Sequence, residues 1–233
     1  MGFLKGDTGR DDRVVTDALL SLRGRLVREI TRRQIAATPK MVWKIKSTYQ
    51  CLIRRTIEAA DGMRMAWNAG NLLTTMTMAR SLIETGAIVR NLTDLVKKAV
   101  ADKDVDALDK AVMQAGFATR DAVLLAERPD YKATNILTMI ERLDKSLFKD
   151  KTPRLQSAYD FLSEFAHPNH FGIMGLYSDN FPDEYRVEFG NMSKKKKGIL
   201  PHVRVTSSMV WLVELAAEDI DELMPRIISF VPK

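Results

Sequence analysis

LLTTMTMARSLIETGAIVRNLTDLVKKAV, residues 72–100, decides the fold. Leu73, Met76, Ala79, Leu82, Ile83, Ala87, Leu92, Leu95 and Val96 recur at helical spacing, mostly three or four residues apart. That spacing places them along one stripe of an α-helix and on no face of a strand. The break Asn68-Ala69-Gly70-Asn71 precedes the stretch, and the polar turn Ala101-Asp102-Lys103-Asp104, with a ready helix cap, follows it.

The same period continues outward. Val15, Leu19, Leu22, Leu26 and Ile30 predict a first helix from Arg13 to about Ala37, behind a flexible leader of residues 1–12. Thr38-Pro39 reads as an N-cap with proline at the first helical position, opening a second helix to about Trp67. A fourth helix is expected from Val105 to Glu127 and a fifth from Lys132 to Phe148. Thr152-Pro153 repeats the cap-and-proline start for a sixth, which runs to about His167. Residues 168–200 hold Gly172, Gly175, Pro182, Gly190 and Gly198, so this segment is an irregular insertion. Within it, Ile173 to Tyr177 and Tyr185 to Phe189 alternate as a short β-hairpin would, and Lys194 to Lys197 falls at a loop tip. Pro201 opens the last helix, which ends before the apolar tail Ile227 to Val231. The expected fold is all-α: one helical bundle of about seven helices over residues 13–233.

Composition agrees. Of 233 residues, 45% are hydrophobic and only 7% aromatic, a balance that suits helices better than sheets. The formal net charge of +6 permits an anionic partner such as RNA, although most basic residues are interspersed with acidic ones. Cys51 is the sole cysteine, which excludes an intrachain disulfide and fits a reducing compartment. Its apolar-periodic surroundings place it in the core. No apolar run has signal-peptide or membrane-spanning length, so a cytoplasmic protein without a membrane partner is expected.

Two constellations carry polar chemistry. Asp160, Ser163, Glu164 and His167 share a helix face directly before Pro168, with the Ser163 hydroxyl one turn from the His167 imidazole. Histidine is the natural acid or base near neutral pH, and it is equally a favourable residue at a helix C-terminus. Arg80 and Glu84 lie four apart among Ala79, Leu82, Ile83 and Ala87. They read either as a structural ion pair or as a pair that positions His167. Glu164-x-x-His167 is half of a di-iron carboxylate pattern, but Ile199 stands where the second half needs a glutamate before His202. There is no Walker loop, dinucleotide fingerprint or zinc-finger spacing. No metal or cofactor is expected.

Arg80-Ser-Leu-Ile-Glu84, preceded by Gly70-Asn71 and Met78-Ala79, and the later Tyr159-x-x-x-Ser163-x-x-x-His167-Pro168 carry a resemblance. The chain resembles an uncharacterised bacterial all-helical family with these motifs, over about residues 45–225. That family is similar to the HEPN class (higher eukaryotes and prokaryotes nucleotide-binding), helical domains found in toxins, phage defence and RNA processing. The resemblance implies a metal-independent ribonuclease, RNA as substrate or ligand, and a homodimer or an antitoxin-type partner. The class carries an arginine, then four to six residues, then its histidine. Here no arginine has that spacing before His167, His170 or His202. Arg80 is the arginine that another helix could supply. The resulting candidate site is His167, Arg80, Ser163 and Glu84. The alternative is a non-enzymatic helical binding module in which these four residues form a structural polar network.

Overall fold

A computed structural model describes residues 4, 10–31, 40–148, 152–190 and 192–232. Within them the chain is an all-α bundle with one small hairpin. The helices are α1 (Arg10–Gly24), α2 (Lys40–Ala69), α3 (Leu72–Asp102), α4 (Val105–Phe117), α5 (Ala122–Glu127), α6 (Ile136–Leu147), α7 (Arg154–Ala166) and α8 (Met192–Phe230). The strands β1 (Ser178–Phe181) and β2 (Arg186–Phe189) form the hairpin.

The stretch that decides the fold becomes its axis. Helix α3 packs against α2, α4, α6, α7 and α8. Met76, Ala79, Leu82, Ile83, Val89 and Val96 are fully buried, as are Thr75, Thr85 and Thr93. The buried threonines escape an unsatisfied-hydroxyl penalty by bonding within helices: Thr85 Oγ1 donates to Ser81 O at 2.7 Å and Thr93 Oγ1 to Val89 O at 2.8 Å. Gly86 lets α8 approach closely, since a Cβ there would lie 2.8 Å from Met209 Sδ. Asp104 supplies the cap expected in the 101–104 turn, accepting from the Ala107 amide, and Asn71, read only as part of a break, caps α3 by accepting from the Thr74 amide.

Several expectations need correction. Helix α1 starts at Arg10 and stops at Gly24, well short of Ala37, and Leu4 from the expected leader is buried. Residues 25–31 form a non-helical strap, held by partners distant in sequence. Gln50 Nε2 donates to Arg25 O at 2.8 Å, Val27 N donates to Gln50 Oε1 at 3.1 Å, and Trp43 Nε1 donates to Ile30 O at 3.2 Å. These bonds replace the helical ladder that Gly24, a weak helix former, gives up. The Thr38-Pro39 start lies outside the described residues. The expected fourth helix is split after Phe117, where Thr119 N donates to Tyr131 O at 2.9 Å and Asp121 caps a new helix. The following helix starts at Ile136 under an Asn135 cap.

Helix α7 is capped by a residue that local reading missed. Its N-cap position is Pro153, and the amides of Leu155 and Gln156 donate to the two carboxylate oxygens of buried Asp144, both at 2.8 Å. Removing that carboxylate strands two helix-terminal donors. Asp144→Ala is expected to lower stability by about 2–3 kcal/mol in urea unfolding. An unchanged midpoint would show that the cap contributes nothing.

The first strand of the hairpin also lies elsewhere than expected. Residues 171–175 form a single wide helical turn, and β1 begins only at Ser178, paired antiparallel with β2 through Ser178↔Phe189 and Phe181↔Arg186. Lys194 to Lys197 lie in the first turns of α8, and Pro201 sits inside that helix. Lysine is a good helix former, and two of these lysines bond into the fold. Lys195 Nζ donates to Ser178 O at 2.9 Å and to Asp179 Oδ1 at 2.8 Å. Lys196 Nζ donates to Trp67 O at 2.8 Å and lies 4.5 Å from the centre of the indole. The lysine run therefore fastens the hairpin and the end of α2 onto α8. Helix α8 also takes in most of the expected apolar tail, ending at Phe230. Cys51, expected in the core, is exposed on α2.

Candidate functional site

The site forms where the end of α7 meets the middle of α3. Leu155, Ala158, Tyr159 and Leu162 bury the inner stripe of α7. Pro168 disfavours a helical conformation at the residue before it, and His167 takes φ −88° and ψ 150°. The helix thus ends with an exposed imidazole at its rim. Asn169 fixes the turn that follows. Its Nδ2 donates to Glu164 Oε2 at 2.8 Å, and its Oδ1 accepts from Gly172 N at 2.9 Å.

Arg80 and His167, 87 residues apart in sequence, meet in space. Arg80 Nη1 lies 3.4 Å from His167 Nε2. A guanidinium has no acceptor, so Nε2 accepts and the imidazole proton sits on Nδ1. Arg80 Nη2 donates to Tyr159 Oη at 3.1 Å, and Tyr159 Oη donates to Glu84 Oε1 at 3.0 Å. Arg80 Nε is 3.2 Å from Glu84 Oε1, an ion-pair contact whose angle makes no hydrogen bond, which leaves Nε buried without a hydrogen-bond partner. Arg80, Tyr159 and Glu84 form a closed triangle, and His167 stands at the side open to solvent.

The triangle is partly withdrawn from water. The side chains of Arg80 and Glu84 are 28% and 27% exposed, while Tyr159 is buried. Burial pushes the Tyr159 phenol above its ordinary pKa, with the Glu84 charge adding to the rise and the Arg80 hydrogen bond opposing it. The phenol therefore stays protonated and keeps donating to Glu84. Glu84 also lines a cleft of about 370 Å³ bounded by Asn91, Gln114, Arg120 and Thr134 among apolar neighbours.

Three of the four residues singled out by sequence come together; Ser163 does not join them. Its hydroxyl donates to the Tyr159 carbonyl at 2.7 Å, the back-bond of a serine inside a helix, and makes no bond to His167. Tyr159, read as part of the motif but left out of the candidate site, takes the place of Ser163. Its signal was the i, i+4, i+8 spacing of Tyr159, Ser163 and His167, which puts the phenol on the same side of α7 as the imidazole.

Next to the site runs an aromatic row. Phe161 stacks on His202 with ring centres 3.8 Å apart and planes 12° apart, and Phe165 joins Phe161 to Phe171. Burial holds the His202 pKa below its ordinary value, so this ring is a neutral packing element. Among the described residues no group of three His, Cys, Asp or Glu could hold a metal ion. None of their helices is long and apolar enough to cross a membrane. Comparison with protein-family models, curated proteins and solved structures finds no match to this chain.

Proposed function

We propose that this chain is a HEPN-like protein of bacterial defence or toxin type that cleaves RNA without a metal, at Arg80 and His167. The observation that carries the reading is the approach of the Arg80 guanidinium to the His167 imidazole at 3.4 Å, at an open helix end. An arginine from α3 takes the place that the class fills from the helix of the histidine itself. The net charge of +6 favours encounter with a polyanion.

In this reading a ribose 2′-hydroxyl attacks the adjacent phosphorus. Nε2 of the imidazole leaves its long contact with Arg80 and accepts the hydroxyl proton, the P–O5′ bond breaks, and the imidazolium so formed returns that proton to the departing 5′-oxygen. Arg80 stabilises the charge that builds on the phosphoryl oxygens. Tyr159 and Glu84 hold Arg80 in place without touching the substrate. The products are a 2′,3′-cyclic phosphate and a 5′-hydroxyl end. Incubating the chain with single-stranded RNA in excess EDTA is expected to yield those ends. Intact RNA, or cleavage that EDTA abolishes, removes the proposal.

The second reading is a non-enzymatic binding module whose network fixes α3 against α7. It is favoured by Tyr159, which bridges Arg80 and Glu84 across the two helices. It expects Arg80→Ala and His167→Ala both to lower the melting temperature, with no cleavage by any form.

A further inference from the structure

The outer edge of β2 is open. Strand β2 pairs with β1 on one side, and among the described residues nothing pairs with the other. All four of its residues are exposed, Phe189 to 76%, and Tyr185 in the preceding turn is fully exposed. A two-stranded sheet alone is marginal in water, and an open edge is a template for another strand.

The open edge is self-complementary. Gly190 N donates to Tyr177 O at 3.3 Å, one step beyond the Ser178↔Phe189 pair. Antiparallel bonding alternates, so Arg186 and Glu188 also turn their backbone groups toward β1. Val187 and Phe189 turn theirs toward the open edge. Tyr185-Arg186-Val187-Glu188-Phe189 reads aromatic, cationic, apolar, anionic, aromatic from its N-terminal end, and the same with the charges exchanged from the other. A two-fold axis at Val187 then sets Arg186 of each copy opposite Glu188 of the other and Val187 opposite Val187. Phe189 of each copy lies beside the Tyr185 turn of the other. The backbone parity admits this register, and the charge order selects it. Within one chain Glu188 faces Asp179, a like charge that Lys195 already engages. Arg186, which bonds Glu184 and Glu188 of its own chain, then joins a four-charge cluster around the axis.

We propose that two copies of this chain associate through the open edges of β2, antiparallel about Val187, into a continuous four-stranded sheet. The contact is small, which makes the association weak and concentration-dependent.

Sedimentation equilibrium over a concentration series tests it. The wild-type chain is expected to dimerise. Glu188→Lys and Arg186→Glu each place like charges opposite one another across the axis and are expected to weaken dimerisation at least about tenfold. An equimolar mixture of the two restores both attractive pairs and should dimerise as the wild type does. In a Cys51→Ser background, Val187→Cys should form an intermolecular disulfide, because bonded antiparallel partners lie about 5.5 Å apart at Cα. A wild type that stays monomeric, charge variants that dimerise unchanged, a mixture that fails to associate, or a Val187→Cys variant that does not cross-link overturns the proposal. The cross-link decides the matter if a charge variant does not fold. None of these readouts involves RNA, so a dimer that cleaves nothing removes the functional proposal and leaves this one standing.

Discussion

His167→Ala is expected to lower RNA cleavage by about two to four orders of magnitude, the usual contribution of a positioned acid–base group. Stability should hardly change. The imidazole is exposed, and among the described residues its side-chain hydrogen bond is a long one of 3.4 Å from Arg80. Exposed substitutions of this kind fall within about 0.5 kcal/mol. The split between a large kinetic loss and a small thermal one separates the two functional readings. A binding module held together by its polar network would show the reverse, a lowered melting temperature with no cleavage to lose. Cleavage by the variant at the wild-type rate would remove His167 from any catalytic role.

Gly172→Ala is expected to be the most destabilising alanine substitution among the described glycines. A Cβ at this position would lie 1.9 Å from the His167 carbonyl oxygen and 2.9 Å from that of Phe165. Both obstacles are backbone, so no side chain can swing away, and the turn after α7 must move. The cost should reach about 3 kcal/mol or more, at the upper end of overpacking effects. Because Asn169 ties Gly172 N to the end of α7, the shift should also displace His167 and lower cleavage. Urea unfolding gives the stability, and hydrogen exchange over residues 168–176 reports the local opening. Gly198→Ala is the control, since a Cβ there meets nothing within 4 Å and gains helix propensity in α8. Equal stability of the Gly172 and Gly198 variants would contradict the close packing of this turn.

The helices around α3 were legible because burial repeats at the helical period. Met76, Leu82, Ile83 and Val96 declare their face without reference to any other part of the chain, whereas Leu73 and Leu95, read on the same stripe, are exposed. The strap at residues 25–31 was not legible. Its apolar residues keep helical spacing, while the competing partners, Gln50 and Trp43, lie on another helix. Asp144 was missed as the cap of α7 for the same reason, since it sits at the end of α6 and acts across a connection. Lys195 and Lys196 read as solvated charge, because nothing local announces the carbonyls of Ser178 and Trp67 that receive them. Cys51 was misplaced because the apolar period around it marks the helix but not which positions its outer stripe holds. At the site, the Arg80–Glu84 pair and the face bearing His167 could each be read from spacing. Their meeting, and the phenol of Tyr159 between them, came from the packing of α3 on α7.

The central claim is that Arg80 and His167 act as one unit on RNA. A double-mutant cycle on the cleavage rate in EDTA tests it most directly, using the wild type, Arg80→Ala, His167→Ala and the double variant. Residues that act together are grossly non-additive. The double variant should therefore be little slower than the slower single variant. Two losses that multiply in the double variant, or either single variant cleaving at the wild-type rate, would contradict the account.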